Sequence, residues 1–115
     1  MRGLLFLLAI GATALGTAPA VAGAGSFVLV NGTDSNLSDL AIRRFGTDDW
    51  TALAVAPAAG ARGPVEFSNP DCAFDIRGTL GGGQAVVWSG VNLCEAKIVT
   101  LKRDEKSRSL WVEYD

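Results

Sequence analysis

Cys72-Ala73-Phe74-Asp75-Ile76-Arg77 carries the clearest structural pattern in the chain. In an extended chain successive side chains point to opposite faces, so Cys72, Phe74 and Ile76 share one side while Ala73, Asp75 and Arg77 share the other. That pattern is a strand with a core face and a polar face. Forward of it, Gly81-Gly82-Gly83 joins the strand to Gln84-Ala85-Val86-Val87-Trp88 as a hairpin. Val91-Asn92-Leu93-Cys94 follows, then a strand from Ala96 to Leu101, and a last hairpin through Arg103 to Arg108 into Leu110-Trp111-Val112-Glu113-Tyr114. Behind it, Val65-Glu66-Phe67 is a short strand ended by Ser68-Asn69-Pro70-Asp71. Ala56 to Pro64 is too rich in Gly and Pro for a central strand and reads as a loop. Trp50 to Val55 continues the sheet or wraps its edge. Leu40 to Phe45 alternates, with Leu40 and Ile42 on one side and Arg43 on the other, and Gly46-Thr47-Asp48-Asp49 stops it. Phe27-Val28-Leu29-Val30 is the first strand, closed by Asn31-Gly32-Thr33-Asp34 with Gly32 able to take positive φ.

No segment carries a sustained helical period. About seven short strands with frequent turns predict an all-β domain, a small antiparallel β-sandwich rather than a closed barrel. The domain is single and occupies residues 23–115.

The residues ahead of it read as an export signal. Arg2 precedes the apolar run Leu4 to Ile10, and small residues from Gly16 to Ala24 follow. A short basic start, an apolar middle and an Ala-x-Ala tail are the parts of a secretory signal peptide. The cut is expected after Ala22 or Ala24, because Pro19 breaks any helix running toward it. The strongly apolar part ends near Leu15, too soon for an anchor, so no membrane anchor is expected after cleavage. The expected location is therefore periplasmic or secreted. Removing Arg2 with the signal leaves nine Lys and Arg against twelve Asp and Glu, a net charge of −3. That balance is mixed along the chain and offers no basic patch to nucleic acid.

Cys72 and Cys94 are the two cysteines. Export takes them to an oxidising compartment, where an even count leaves one intramolecular pairing. A redox role lacks both a Cys-x-x-Cys and a neighbouring imidazole. The chain has no His at all, which removes the commonest general base and most zinc sites. There is no nucleophile elbow and no phosphate-cradling loop. Neither a catalytic residue nor a cofactor or metal is therefore expected, and the protein reads as a non-enzyme.

The motifs Asn31-Gly32-Thr33, Leu40 to Arg44, Trp50, Cys72 to Arg77 and Val91 to Cys94 resemble those of a group of small exported proteins, mainly alpha-proteobacterial, without an established function. The two cysteine-bearing motifs, Cys-x-x-Asp-Ile-Arg and Val-Asn-Leu-Cys, are the specific part. The resemblance implies a secreted or periplasmic bacterial β-sandwich module and transfers no site residues. Similar proteins sometimes carry the label argininosuccinate lyase. This chain lacks the length, the helices and the His and Ser acid–base chemistry of such an enzyme.

The expected role is an interaction or accessory module of the bacterial envelope, working as a monomer on an envelope protein or a small ligand. The alternative is a ligand- or carbohydrate-binding module using Trp50 and its loops. Trp50, beside Asp48 and Asp49, is the best candidate for an exposed contact residue. Trp88 and Trp111 lie in strands and are expected to pack. Asp75 and Arg77, two apart on one strand face, read as a solvated pair that can also serve a partner-binding face.

Overall fold

The computed structural model describes residues 23–115. The expected export signal, with a cut after Ala22, lies outside the described residues. Eight strands form: β1 (Phe27–Asn31), β2 (Ser38–Arg44), β3 (Thr51–Ala52), β4 (Arg62–Val65), β5 (Ala73–Thr79), β6 (Ala85–Asn92), β7 (Ile98–Arg103) and β8 (Leu110–Tyr114). They make two four-stranded sheets, ordered β4-β1-β7-β8 and β3-β2-β5-β6. The protein is an all-β sandwich. Its core lies between the sheets, where Phe27, Leu29, Val99 and Leu101 of the first meet Leu40, Ile42, Phe74, Ile76, Trp88 and Val91 of the second.

The alternation read from the sequence is what builds this core. Phe74 and Ile76 are buried as read, and burying such a side chain stabilises the fold by about 1.5–3 kcal/mol. Phe67 packs edge-on to Phe27 at 6.2 Å and to Phe74 at 5.1 Å, bridging the two sheets. Trp88 is 1% exposed, and its indole N–H donates to the Lys102 carbonyl at 2.9 Å. A β6 side chain is thereby tied to the β7 backbone of the opposite sheet. The packing role read for Trp88 holds.

Cys72 and Cys94 form the disulfide, with Cα atoms 5.0 Å apart. They sit just beyond the paired ends of β5 and β6, where the Leu93 N–H donates to the Cys72 carbonyl at 2.9 Å. The bridge clamps the end of that strand pair and fixes where the chain departs for β7.

The structure differs from the expectation in several places. Eight strands replace about seven. β1 and β7 pair parallel, aligning Val28 with Ile98 and Val30 with Thr100, inside an otherwise antiparallel set. Such a pairing joins distant segments and leaves no turn signal between them. β4 begins inside the stretch read as a loop, and Glu66 and Phe67 fall beyond its end. Pro64 is accommodated because β4 is an edge strand, where a missing N–H need not interrupt a ladder. β3 is the edge-wrapping continuation, shortened to two residues.

Gly32 does not take positive φ. It is a glycine for another reason: a Cβ there would lie 2.7 Å from Thr100 Cγ2 and 2.9 Å from the Leu101 carbonyl oxygen. The turn itself is held by Asn31, which is fully buried. The Asn31 amide donates to the carbonyls of Ser35 at 2.7 Å and Pro57 at 3.0 Å, and its oxygen accepts from Thr33 N–H and Oγ1. A buried amide satisfied on both ends pins the 56–61 segment to the end of β1.

Candidate functional site

The outer face of the second sheet gathers the polar side chains of β2 and β5. Arg43 of β2 stands opposite Asp75 of β5, and Ala41 stands opposite Arg77, so all four share one face. Across β5 and β6, Phe74 aligns with Val91 and Ile76 with Trp88, which leaves one extra residue on β6. This is a β-bulge, and Gly90 within it takes φ 70°. The bulge turns two donors toward Asp75: Ser89 Oγ donates to Oδ1 at 2.7 Å and the Gly90 N–H donates to the same oxygen at 3.0 Å. Arg43 Nε donates to the other oxygen, Oδ2, at 2.9 Å.

Asp75 is 2% exposed. Burial on its own pushes the carboxyl pKa up, but the Ser89 hydroxyl, the Gly90 amide and the Arg43 guanidinium together outweigh it. The net effect holds Asp75 below the ordinary carboxylate value, and it stays ionised. Asp75 and Arg77 are therefore not a solvated pair. The partner of Asp75 is the residue opposite it on the neighbouring strand, and the bulge supplies donors that the strand pattern alone does not show.

Trp50 comes immediately before β3 and packs over this face. The guanidinium carbon of Arg43 lies 4.4 Å from its ring centroid and that of Arg77 lies 4.3 Å away. Each such cation–π contact is worth about 0.5–1 kcal/mol near the surface. Arg43 thus spends its Nε on Asp75, its plane on Trp50, and its Nη1 on a long 3.4 Å contact with the exposed Asp48. Arg77 stacks on the same indole but forms no ion pair among the described residues.

Four of the residues singled out from the sequence, Trp50, Asp48, Asp75 and Arg77, thus meet on one face. Asp49 makes no side-chain contact with them; it lines a groove of about 200 Å³ with Arg44, Thr51 and Phe67, to which Arg43 also contributes. Trp50 is half-buried beneath its two arginines rather than freely exposed. Trp111, expected to pack, is instead 42% exposed, because it points outward from the edge strand β8. Arg43 organises the site and was not singled out. Its signal was the register opposite Asp75, which needs the pairing of two strands 32 residues apart in the chain.

Chemically the arrangement is a buried, ionised carboxylate held by three donors beside two guanidinium groups that share one indole. Asp75 is enclosed and accepts from three donors, which occupy three of the roughly four lone-pair sites of a carboxylate. Among the described residues no three carboxylates or thiols gather closely enough to hold a metal ion.

No protein-family model and no curated protein matches the chain. A solved structure is similar, the NMR structure of a protein from Eubacterium rectale. It agrees at a TM-score of 0.59 and 15% sequence identity, covering 79% of this chain and 87% of that one. A likeness at that identity shows the shared fold.

Proposed function

We propose that the protein is a non-catalytic, exported binding module of the bacterial envelope whose contact surface is the outer face of the second sheet, centred on Trp50, Arg43 and Arg77. The observation that carries the reading is the pair of guanidinium groups stacked on Trp50. Trp and Arg are the side chains that most often dominate protein–protein contacts. Here they are held in place before a partner arrives, so little rotamer freedom remains to be lost on binding. A carbohydrate stacked on Trp50 is the weaker reading, since two cations already contact that ring.

Export is supported by the signal-like N-terminus, by the resemblance to small exported proteins, and by a disulfide of the kind that persists in oxidising compartments. Ala24 bears on the cut. It is buried, and it forms an isolated bridge with Asn69 through hydrogen bonds of 2.7 and 3.1 Å. A cut after Ala24 removes that contact, whereas a cut after Ala22 keeps it.

The test is cross-linking in the native envelope, comparing the wild type with Trp50→Ala and Arg77→Ala. One reproducible partner that both substitutions lose, with melting temperatures close to wild type, supports the surface. Capture that neither substitution alters refutes it.

A further inference from the structure

Among the described residues each sheet ends in two edge strands, and three of these four edges are closed to further pairing. β4 carries Gly63 and Pro64. β3 is two residues long. β6 is bulged at Ser89 and Gly90, and its Asn92 N–H already donates to the Tyr114 hydroxyl at 3.0 Å. Short length, proline and bulges are the devices by which sheet edges avoid pairing with other chains. β8, Leu110-Trp111-Val112-Glu113-Tyr114, has none of them. It carries no proline and no lysine, and its Trp111 and Tyr114 are exposed.

The register shows what this edge presents. Ile98 and Asp115 exchange both backbone hydrogen bonds, each at 3.0 Å, and Asp104 N–H donates to the Ser109 carbonyl at 2.9 Å. Antiparallel pairs alternate between bonded and non-bonded, so Thr100–Glu113 and Lys102–Trp111 are also bonded pairs. The backbone groups of Leu110, Val112 and Tyr114 therefore turn away from β7, toward the open edge.

We propose that β8 pairs antiparallel with β8 of a second copy of the chain, about a two-fold axis at Val112. In that register Val112 faces itself, Leu110 faces Tyr114 of the second copy, and every outward-turned group is used. Trp111 then faces Glu113 of the second copy across a non-bonded pair, where side chains approach most closely. A shift of two residues one way sets Glu113 against Glu113, and the other way sets Trp111 against Trp111. Either shift also strands backbone groups. The strand is thus complementary to itself in one register, which favours a second copy over a foreign strand. Within one chain the Trp111 indole reaches Glu113 at only 3.4 Å, leaving room for a better partner. The proposal departs from the monomer expected from the sequence, because an open edge is a property of sheet order.

An interface of one short strand is small, so the association is weak and grows with concentration. Amide exchange measured by NMR on the oxidised protein at roughly 20 µM and 2 mM tests it. The amides of Leu110, Val112 and Tyr114 should slow several-fold at the higher concentration, while those of Trp111 and Glu113, already bonded to β7, should not change. Sedimentation should show the dimer over the same range. Val112→Pro removes an outward N–H without breaking a β7 bond, and Trp111→Glu sets like charges across the axis. Each should abolish the concentration dependence while leaving the disulfide and the unfolding transition intact. Concentration-independent exchange with a monomer mass at 2 mM overturns the proposal, as does a dimer that both variants retain. Protection that arises only when an added foreign strand is present overturns it in favour of such a partner.

Discussion

Replacing Asp75 with Asn tests how the outer face of the second sheet is held together. The change keeps the side-chain shape and keeps one oxygen for Ser89 and Gly90, but it sets an amide NH₂ against Arg43 Nε, 2.9 Å from the present oxygen. A charge-assisted hydrogen bond is lost and a guanidinium loses its counter-charge, which alone costs about 1.5–3 kcal/mol. The Arg43 side chain is a quarter exposed, so water recovers part of that. We expect a loss of about 2 kcal/mol in urea unfolding at pH 7. The pH dependence gives a second readout. Because the folded-state pKa of Asp75 is depressed, its stabilisation is complete above the unfolded value of about 3.9 and is lost as pH falls through the lower folded value. The wild type should therefore lose more stability than Asp75→Asn below about pH 4, and the two curves should converge there. A difference under about 0.5 kcal/mol at pH 7, or parallel curves into acid, refutes the buried, paired carboxylate.

Three further outcomes can be checked. Cys72→Ser with Cys94→Ser opens a loop of 22 residues and should cost about 3 kcal/mol on the chain-entropy account, read as a lowered melting temperature; an unchanged one denies the bridge a structural role. Gly32→Ala places a methyl group against Thr100 and the Leu101 carbonyl and should cost about 1–3 kcal/mol, whereas a turn glycine with open space around it would tolerate the change. On the proposed export, the mature chain should begin at Gly23 by intact mass, and a chain beginning at Gly25 contradicts the retention of Ala24 in the fold.

The strands that alternate cleanly are legible in the sequence. Phe74 and Ile76 face the core as their spacing required, and the triglycine closes a hairpin between β5 and β6. Asp75 occupies the polar parity of its strand, yet it is buried. Parity states which face a side chain leaves from and says nothing of what covers that face. Here the groups that enclose Asp75 are Arg43 of the neighbouring strand and the Ser89–Gly90 bulge. Trp111 is the converse case: its strand reads as packed, but it leaves an edge strand from the outer face. Gly32 was read through the local chemistry of turns, while its constraint comes from β7, about seventy residues away along the chain.

Local sequence is enough to specify the all-β class, the two-sided strands, the triglycine hairpin and the pairing of the two cysteines. Each depends on local periodicity, on backbone preference or on a count. Only the tertiary structure decided the parallel β1–β7 contact, the bulge that aims Ser89 and Gly90 at Asp75, the stacking of two arginines on Trp50, and the open edge of β8. These depend on which strands become neighbours. That choice rests on the burial shared between two whole sheets, and no short stretch of the chain carries it.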